Sequence, residues 1–272
     1  MADLGEYKNI LCEQADGWLT IWFNKPDNRN ALSTEMIKDI SDVLNTVKED
    51  RDVRGITMRG KGGIFCAGGD LKSFKASMTG GASKEDIMAT SRTAADFFHL
   101  INTVPQVVIM VIEGAAMAGG LGMACTADVV IAAPDARFSL TEAMLGITPA
   151  QISPYVMQKF GYAVARRLML TAAQFDGAEG EKLGLVDFLA SGEENLSRTE
   201  WQIKRQVLKC APGAVAATKR LALSAHKLPR EEMVEFAASD FADCLLGDEG
   251  REGISSFIEK RKPEWFVDLD RK

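Results

Sequence analysis

Short apolar runs alternate with helix-periodic stretches through the first two-thirds of this chain, and then the short runs stop. Residues 18–23, 53–59, 107–112, 129–133 and 137–140 are each too short for a buried helix and read as strands. Between the first two, Met36, Ile37, Ile40, Val43, Leu44 and Val47 recur at helical spacing, with Ser33 placed as the N-cap. Strands that alternate with helices imply an α/β core with at least partly parallel pairing. From about Glu194 onward only amphipathic helices follow, over residues 201–210, 213–224, 231–246 and 249–260. The chain therefore divides into an α/β core, 1–195, and a helical region, 196–272. Residues 73–84, SFKASMTGGASK, show no periodicity and read as a mobile loop that either covers a ligand or connects elements.

Composition narrows the chemistry. Only two histidines occur in 272 residues, His99 and His226, so a histidine-rich metal site cannot be built and nucleophile–histidine catalysis has two candidate bases. His99 lies in a helical run beside Phe97, Phe98, Leu100 and Ile101 and reads as a packed or surface residue. The five cysteines, Cys12, Cys66, Cys125, Cys210 and Cys244, form no C-x-x-C pair and read as reduced thiols, with no metal site. A net charge of −6 argues against nucleic acid as a partner. The longest apolar run is too short to span a bilayer, and the amino terminus lacks a basic region followed by an apolar stretch. A soluble cytoplasmic protein is expected, with its chemistry in carboxylates, backbone groups or a bound molecule.

Two glycine-rich segments stand where a strand gives way to a helix. One is Phe65-Cys66-Ala67-Gly68-Gly69-Asp70-Leu71; the other runs from Gly114 through Gly119-Gly120-Leu121-Gly122 to Ala124. Helix starts leave backbone N–H groups unpaired, and glycine lets a ligand approach them closely. Taken singly, either segment also fits a tight turn and close helix–strand packing. Neither satisfies G-x-G-x-x-G, and no G-K-[ST] follows, so neither a dinucleotide fingerprint nor a P-loop is present.

Together the segments resemble the paired signatures of the crotonase family, the enoyl-CoA hydratase/isomerase superfamily. Asn30-Ala31-Leu32, Phe138-Ser139-Leu140-Thr141-Glu142 and the terminal Phe257-Ile258-Glu259-Lys260-Arg261-Lys262 match in the same order, so the resemblance covers nearly the whole chain. It implies a spiral of ββα units followed by a helical trimerisation region, assembling as a homotrimer or a dimer of trimers. It implies an acyl-CoA thioester as substrate and partner, with no separate cofactor. The thioester oxygen would accept from an oxyanion hole made by the N–H groups of Gly69 and Gly119. Backbone at Arg29, Ala31, Ala67, Asp70 and Leu71 would contact pantetheine or adenine. Phe257 and Lys260 would meet adenine and phosphates, often from a neighbouring subunit. Each has a plainer reading: subunit packing for Phe257, a solvated helix end for Lys260, and a helix N-terminus stabilised by its dipole for Asp70.

Hydratases of this family typically hold a water between two glutamates. Glu142 matches the second; the first falls at Gly122 and is missing. One glutamate suits either a double-bond isomerase or a hydratase of 3-branched glutaconyl-CoA substrates, such as methylglutaconyl- or isohexenylglutaconyl-CoA. Residues 146–156, GITPAQISPYV, resemble the latter group. On that reading Gly122 leaves open space for the substrate branch and removes a like charge from its distal carboxylate. A non-catalytic acyl-CoA binding protein is the remaining alternative.

Overall fold

The computed structural model describes residues 4–269; residues 1–3 of the expected core and 270–272 of the expected helical region lie outside the described residues. A six-stranded sheet forms the centre. Its strands are β1 (Ile10–Ala15), β2 (Trp18–Phe23), β3 (Gly55–Gly60), β4 (Val107–Ile112), β6 (Val129–Ala132) and β9 (Phe188–Leu189), in the order β1-β2-β3-β4-β6-β9. Only β1–β2 is antiparallel; every other neighbour is parallel. A second sheet of three short strands, β5 (Ala115–Met117), β7 (Arg137–Ser139) and β8 (Phe175–Asp176), lies apart from it in the order β5-β7-β8.

Helices cover both faces of the large sheet, as parallel pairing requires. Val108, Met110 and Ile112 of β4 face one core with Leu19, Ile21, Phe23, Ile56 and Met58. Ile109 and Val111 of the same strand face a second core with Trp18, Leu196 and Ile203. This two-residue alternation is the pleat of a strand buried on both sides. Helix α1 (Thr34–Val47) closes the first face with Met36, Ile40, Val43, Leu44 and Val47, and Ser33 caps it by accepting from the Met36 amide at 3.2 Å. Helix α7 (Gly192–Val207) closes the second. Its Glu200 accepts from Thr57 Oγ1 at 2.7 Å, and Thr57 in turn accepts from Trp18 Nε1 at 2.9 Å.

Residues 73–84 are not a loop. Helix α2 (Leu71–Thr79) occupies most of the segment, and α3 (Lys84–Thr103) begins behind a capping box between Ser83 and Asp86. Helix α2 buries no residue, so its sequence carries no amphipathic period to read. Helix α4 (Gly119–Thr126) is the opposite case, buried on every side from Gly120 to Thr126. Helix α5 (Ser153–Thr171), interrupted at Gly161, and α6 (Gly177–Lys182) complete the core. Helices α8 (Pro212–Ser224), α9 (Arg230–Leu246) and α10 (Asp248–Ile258) follow; they bury little and leave Phe241, Leu246, Ile254, Phe257 and Ile258 exposed.

Candidate active site

Three segments that are far apart in sequence run side by side. Phe65 and Cys66 donate their amides to the carbonyls of Glu113 and Ala115, and Met117 donates back to Cys66 at 3.0 Å. On the other edge Ala67 donates to Arg29, Leu32 to Gly68 and Asp70 to Leu32, at 2.8–3.1 Å. The first glycine segment is thus a short central strand, clamped between the 29–32 loop and β5.

Asn30 sets the outer loop. It is fully buried, with φ +54°, a left-handed conformation that asparagine tolerates better than most residues. Its Oδ1 accepts from the Lys25 amide at 2.9 Å, and its Nδ2 donates to the carbonyls of Lys61 and Ile64. Sequence reading had given this residue no separate role; its signal is the left-handed tolerance of asparagine. The loop leaves the carbonyls of Ala31 and Ala67 without a hydrogen-bond partner among the described residues, whereas the amides of Arg29, Ala31, Ala67 and Asp70 all donate within the protein. Polar backbone contact to a ligand along this loop therefore falls to the Ala31 and Ala67 carbonyls and to the Leu71 amide at the start of α2. The Asp70 carboxylate caps α2, accepting from the Lys72 amide and from Ser73 Oγ at 2.8 Å.

The two glycine segments meet backbone to backbone. Gly68 has φ +101°, and a Cβ there would lie 3.0 Å from Ala118 Cβ and 3.1 Å from the Met117 carbonyl. A Cβ on Gly120 would lie 2.7 Å from the Cys66 carbonyl. Ala118, the residue before α4, has φ +48° and ψ −119°, a conformation that costs a non-glycine residue about 1–3 kcal/mol. It is held by its amide, which donates to Ser139 at 2.8 Å, and by its carbonyl, which accepts from Gly122. The strained turn starts α4 at Gly119. Among the described residues neither the Gly69 nor the Gly119 amide has an acceptor. Both residues are half-buried. Phe74 of α2 covers the first of them, its Cζ 2.9 Å from where a Gly69 Cβ would be.

Glu142 enters from the end of β7. It opens a 3-10 turn, Glu142–Leu145, closed by Gly146 at φ +73° and by the Ile147 amide donating to the Glu142 carbonyl. Residues 143–148 are exposed, yet Glu142 itself is 8% exposed and its Oε2 is buried without a partner among the described residues. Burial pushes its carboxyl above the usual carboxylate range, opposed in part by its own amide. A buried carboxylate oxygen with no donor is costly to keep ionised.

The open space expected over Gly122 is filled. A Cβ on Gly122 would lie 2.3 Å from Ile152 Cγ2 and 2.8 Å from Ile152 Cβ. Ile152, 4% exposed, reaches that place as the residue immediately before α5. Gly122 is glycine because Ile152 already occupies its side-chain volume, not because a substrate branch needs a hole there.

The other candidates separate cleanly. Burial pushes the Cys66 and Cys125 thiols up to about 12, which leaves both inert. His99 is exposed on α3. Arg29 is exposed at φ +55° beside the outer loop. Phe257, 85% exposed, ends α10, and Lys260 follows at φ +57°; no hydrogen bond or ion pair joins either to the glycine segments among the described residues. No group of three or more His, Cys, Asp or Glu residues poised to hold a metal occurs among the described residues.

The enoyl-CoA hydratase/isomerase family model matches residues 13–267, and the chain belongs to that family, within the crotonase superfamily. Among solved structures it is similar to AtuE of Pseudomonas aeruginosa, at 41% identity and a TM-score of 0.93 over 96% of this chain and 100% of that one. It is also similar to an enoyl-CoA hydratase/isomerase from Marinobacter aquaeolei, at 37% identity and a TM-score of 0.89 over 94% and 98% of the two chains. The short-chain-enoyl-CoA hydratase of Clostridium acetobutylicum is 27% identical over 96% of this chain and 98% of its own.

Proposed function

We propose that this protein adds water to the double bond of a 2-enoyl-CoA thioester, with 3-branched glutaconyl chains as preferred substrates. The observation that carries the reading is the pair of amides at Gly69 and Gly119 without an acceptor among the described residues, together with the buried, unpartnered Oε2 of Glu142. The thioester oxygen accepts from both amides, which stabilise the negative charge that develops there; loss of one such donor costs about 10²–10³ in rate. Water oxygen bonds to C3 while Glu142 takes one of its protons. The π electrons move to the thioester oxygen as an enolate, and Glu142 returns the proton to C2 as the enolate collapses. A carboxylate with a raised pKa suits both halves of that exchange.

Ile152 stands where a side chain at 122 would be, so the protein offers one carboxylate instead of two. A glutaconyl substrate brings its own distal carboxylate, meets no second protein carboxylate at that position, and completes the pair that orients the water. CoA enters as part of the substrate, and no resident cofactor takes part. Arg29 and Lys260 are the cations we assign to its phosphates. The exposed apolar residues of α9 and α10 fit assembly into a homotrimer or a dimer of trimers, which brings Phe257 and Lys260 to a neighbour's adenine. No helix among the described residues is long and apolar enough to cross a membrane; we take the cytoplasm as the site of action.

The single carboxylate also favours a second reading, a double-bond isomerase in which Glu142 carries a proton between C4 and C2. Separate incubation of 2-enoyl- and 3-enoyl-CoA esters, followed by mass spectrometry, decides. A product heavier by one water from the 2-enoyl ester supports hydration. An isobaric product from the 3-enoyl ester, with no water gained from either, overturns it in favour of isomerisation.

A further inference from the structure

We propose that Ile152 is the residue against which the C3 substituent of the acyl chain packs, so that it sets the preference for branched over unbranched acyl groups. The proposal rests on the reading that the thioester oxygen sits at the Gly69 and Gly119 amides. Gly119 and Gly122 are three residues apart on α4, which places them about 4.5 Å apart along its axis and on one side of it. An acyl C3 lies two bonds beyond the thioester carbon, so a carbonyl held at Gly119 brings C3 into the range of whatever covers Gly122. That cover is Ile152, whose Cγ2, Cβ and Cδ1 lie 2.3, 2.8 and 3.4 Å from the position of a Gly122 Cβ.

Three features fix the side chain there. Glu142 and Ile152 bound one excursion of the chain, tied at its start by the Ile147 amide on the Glu142 carbonyl and at its end by the Ser153 amide on Pro149. Gln151, the neighbouring residue, donates to Ser91 Oγ of α3 at 2.9 Å, which anchors the excursion to a second element. Gly122 supplies the missing volume. The group that covers Gly122 is therefore a branched hydrocarbon with no charge or hydrogen-bonding group, suited to an alkyl branch.

Binding of saturated esters tests this without any chemistry. Dissociation constants for butyryl-CoA and its 3-methyl homologue, isovaleryl-CoA, are measured calorimetrically on the wild type, Ile152→Val and Ile152→Ala, with free CoA as the reference. Wild type is expected to favour isovaleryl-CoA. The preference should fall about fourfold in Ile152→Ala, the value of one buried methylene-sized contact, and by less in Ile152→Val. If both esters weaken by the same factor, Ile152 is a core residue only and the proposal fails. If Ile152→Ala instead gains preference for the branched ester, Ile152 excludes the branch and the proposal fails. Should neither ester bind more tightly than free CoA, the acyl-CoA reading of the site falls first, and this inference with it.

Discussion

Gly68 and Ala118 bring the two glycine segments close together: a methyl on residue 68 would stand 3.0 Å from Ala118 Cβ. Both have positive φ, +101° and +48°, and both precede an acceptor-free amide, that of Gly69 and that of Gly119. The two segments thus meet in close contact, and the strain at Ala118 is maintained by the packing around it.

Gly68→Ala should damage both stability and rate. The added methyl meets Ala118 and the Met117 carbonyl, in a backbone conformation that disfavours alanine. A loss of about 1–3 kcal/mol of stability is expected, seen as a lower Tm. In the fraction that remains folded, kcat should fall more than KM rises, because the displaced donors act on charge that develops in the transition state.

Glu142→Gln should lower kcat by about 10²–10⁴ with a small effect on KM, as measured by steady-state hydration of a 2-enoyl-CoA. An unchanged kcat would refute its role.

The same variant carries a pH signature. The folded-state pKa of Glu142 is raised by burial, so the fold binds its proton more tightly than the unfolded chain does. That contribution to stability is fully present below the unfolded carboxylate pKa and is lost as pH rises through the raised folded value. The Tm of Glu142→Gln minus that of wild type should therefore be larger at neutral pH than in acid, measured by scanning calorimetry across that range.

Gly122→Ala and Ile152→Val should compensate each other. Alone, Gly122→Ala drives a methyl into Ile152 and should cost about 1–3 kcal/mol by overpacking. Trimming Ile152 in the same chain should recover part of that loss, and a double-mutant cycle of denaturant midpoints reads the coupling. Strict additivity would mean that the two side-chain volumes do not compete.

Lys260→Ala should raise KM for CoA esters and leave KM for the corresponding pantetheine thioesters unchanged, because only the former carry the nucleotide phosphates. A Leu246→Asp change, placing charge on the exposed face of α9, should lower the assembled mass seen by light scattering.

The large sheet was legible because Val107–Ile112 and its neighbours are apolar on both faces, and only a doubly covered strand needs that composition. Strand β1, half exposed along Ile10–Ala15, and the two- and three-residue strands β5, β8 and β9 carry too little pattern to be recognised. Helix α2 was read as a loop because nothing on it is buried, although Asp70 two residues ahead of Lys72 marks its cap. Motif order singles out Gly69 and Gly119, whose amides have no acceptor among the described residues and which no side-chain pattern marks. The apolar cover at Ile152 could not be read in this way: it lies thirty positions from Gly122, and volume shared across such a gap leaves no trace in local periodicity.

Helix α4 carries the Gly119 amide at its first residue and is buried from Gly120 to Thr126. A donor mounted on a rod enclosed in the core has no local opening of its own. Hydrogen exchange along α4 should then report the global unfolding reaction alone. The temperature at which the Gly119 amide leaves its position and the temperature at which the fold melts should be one number.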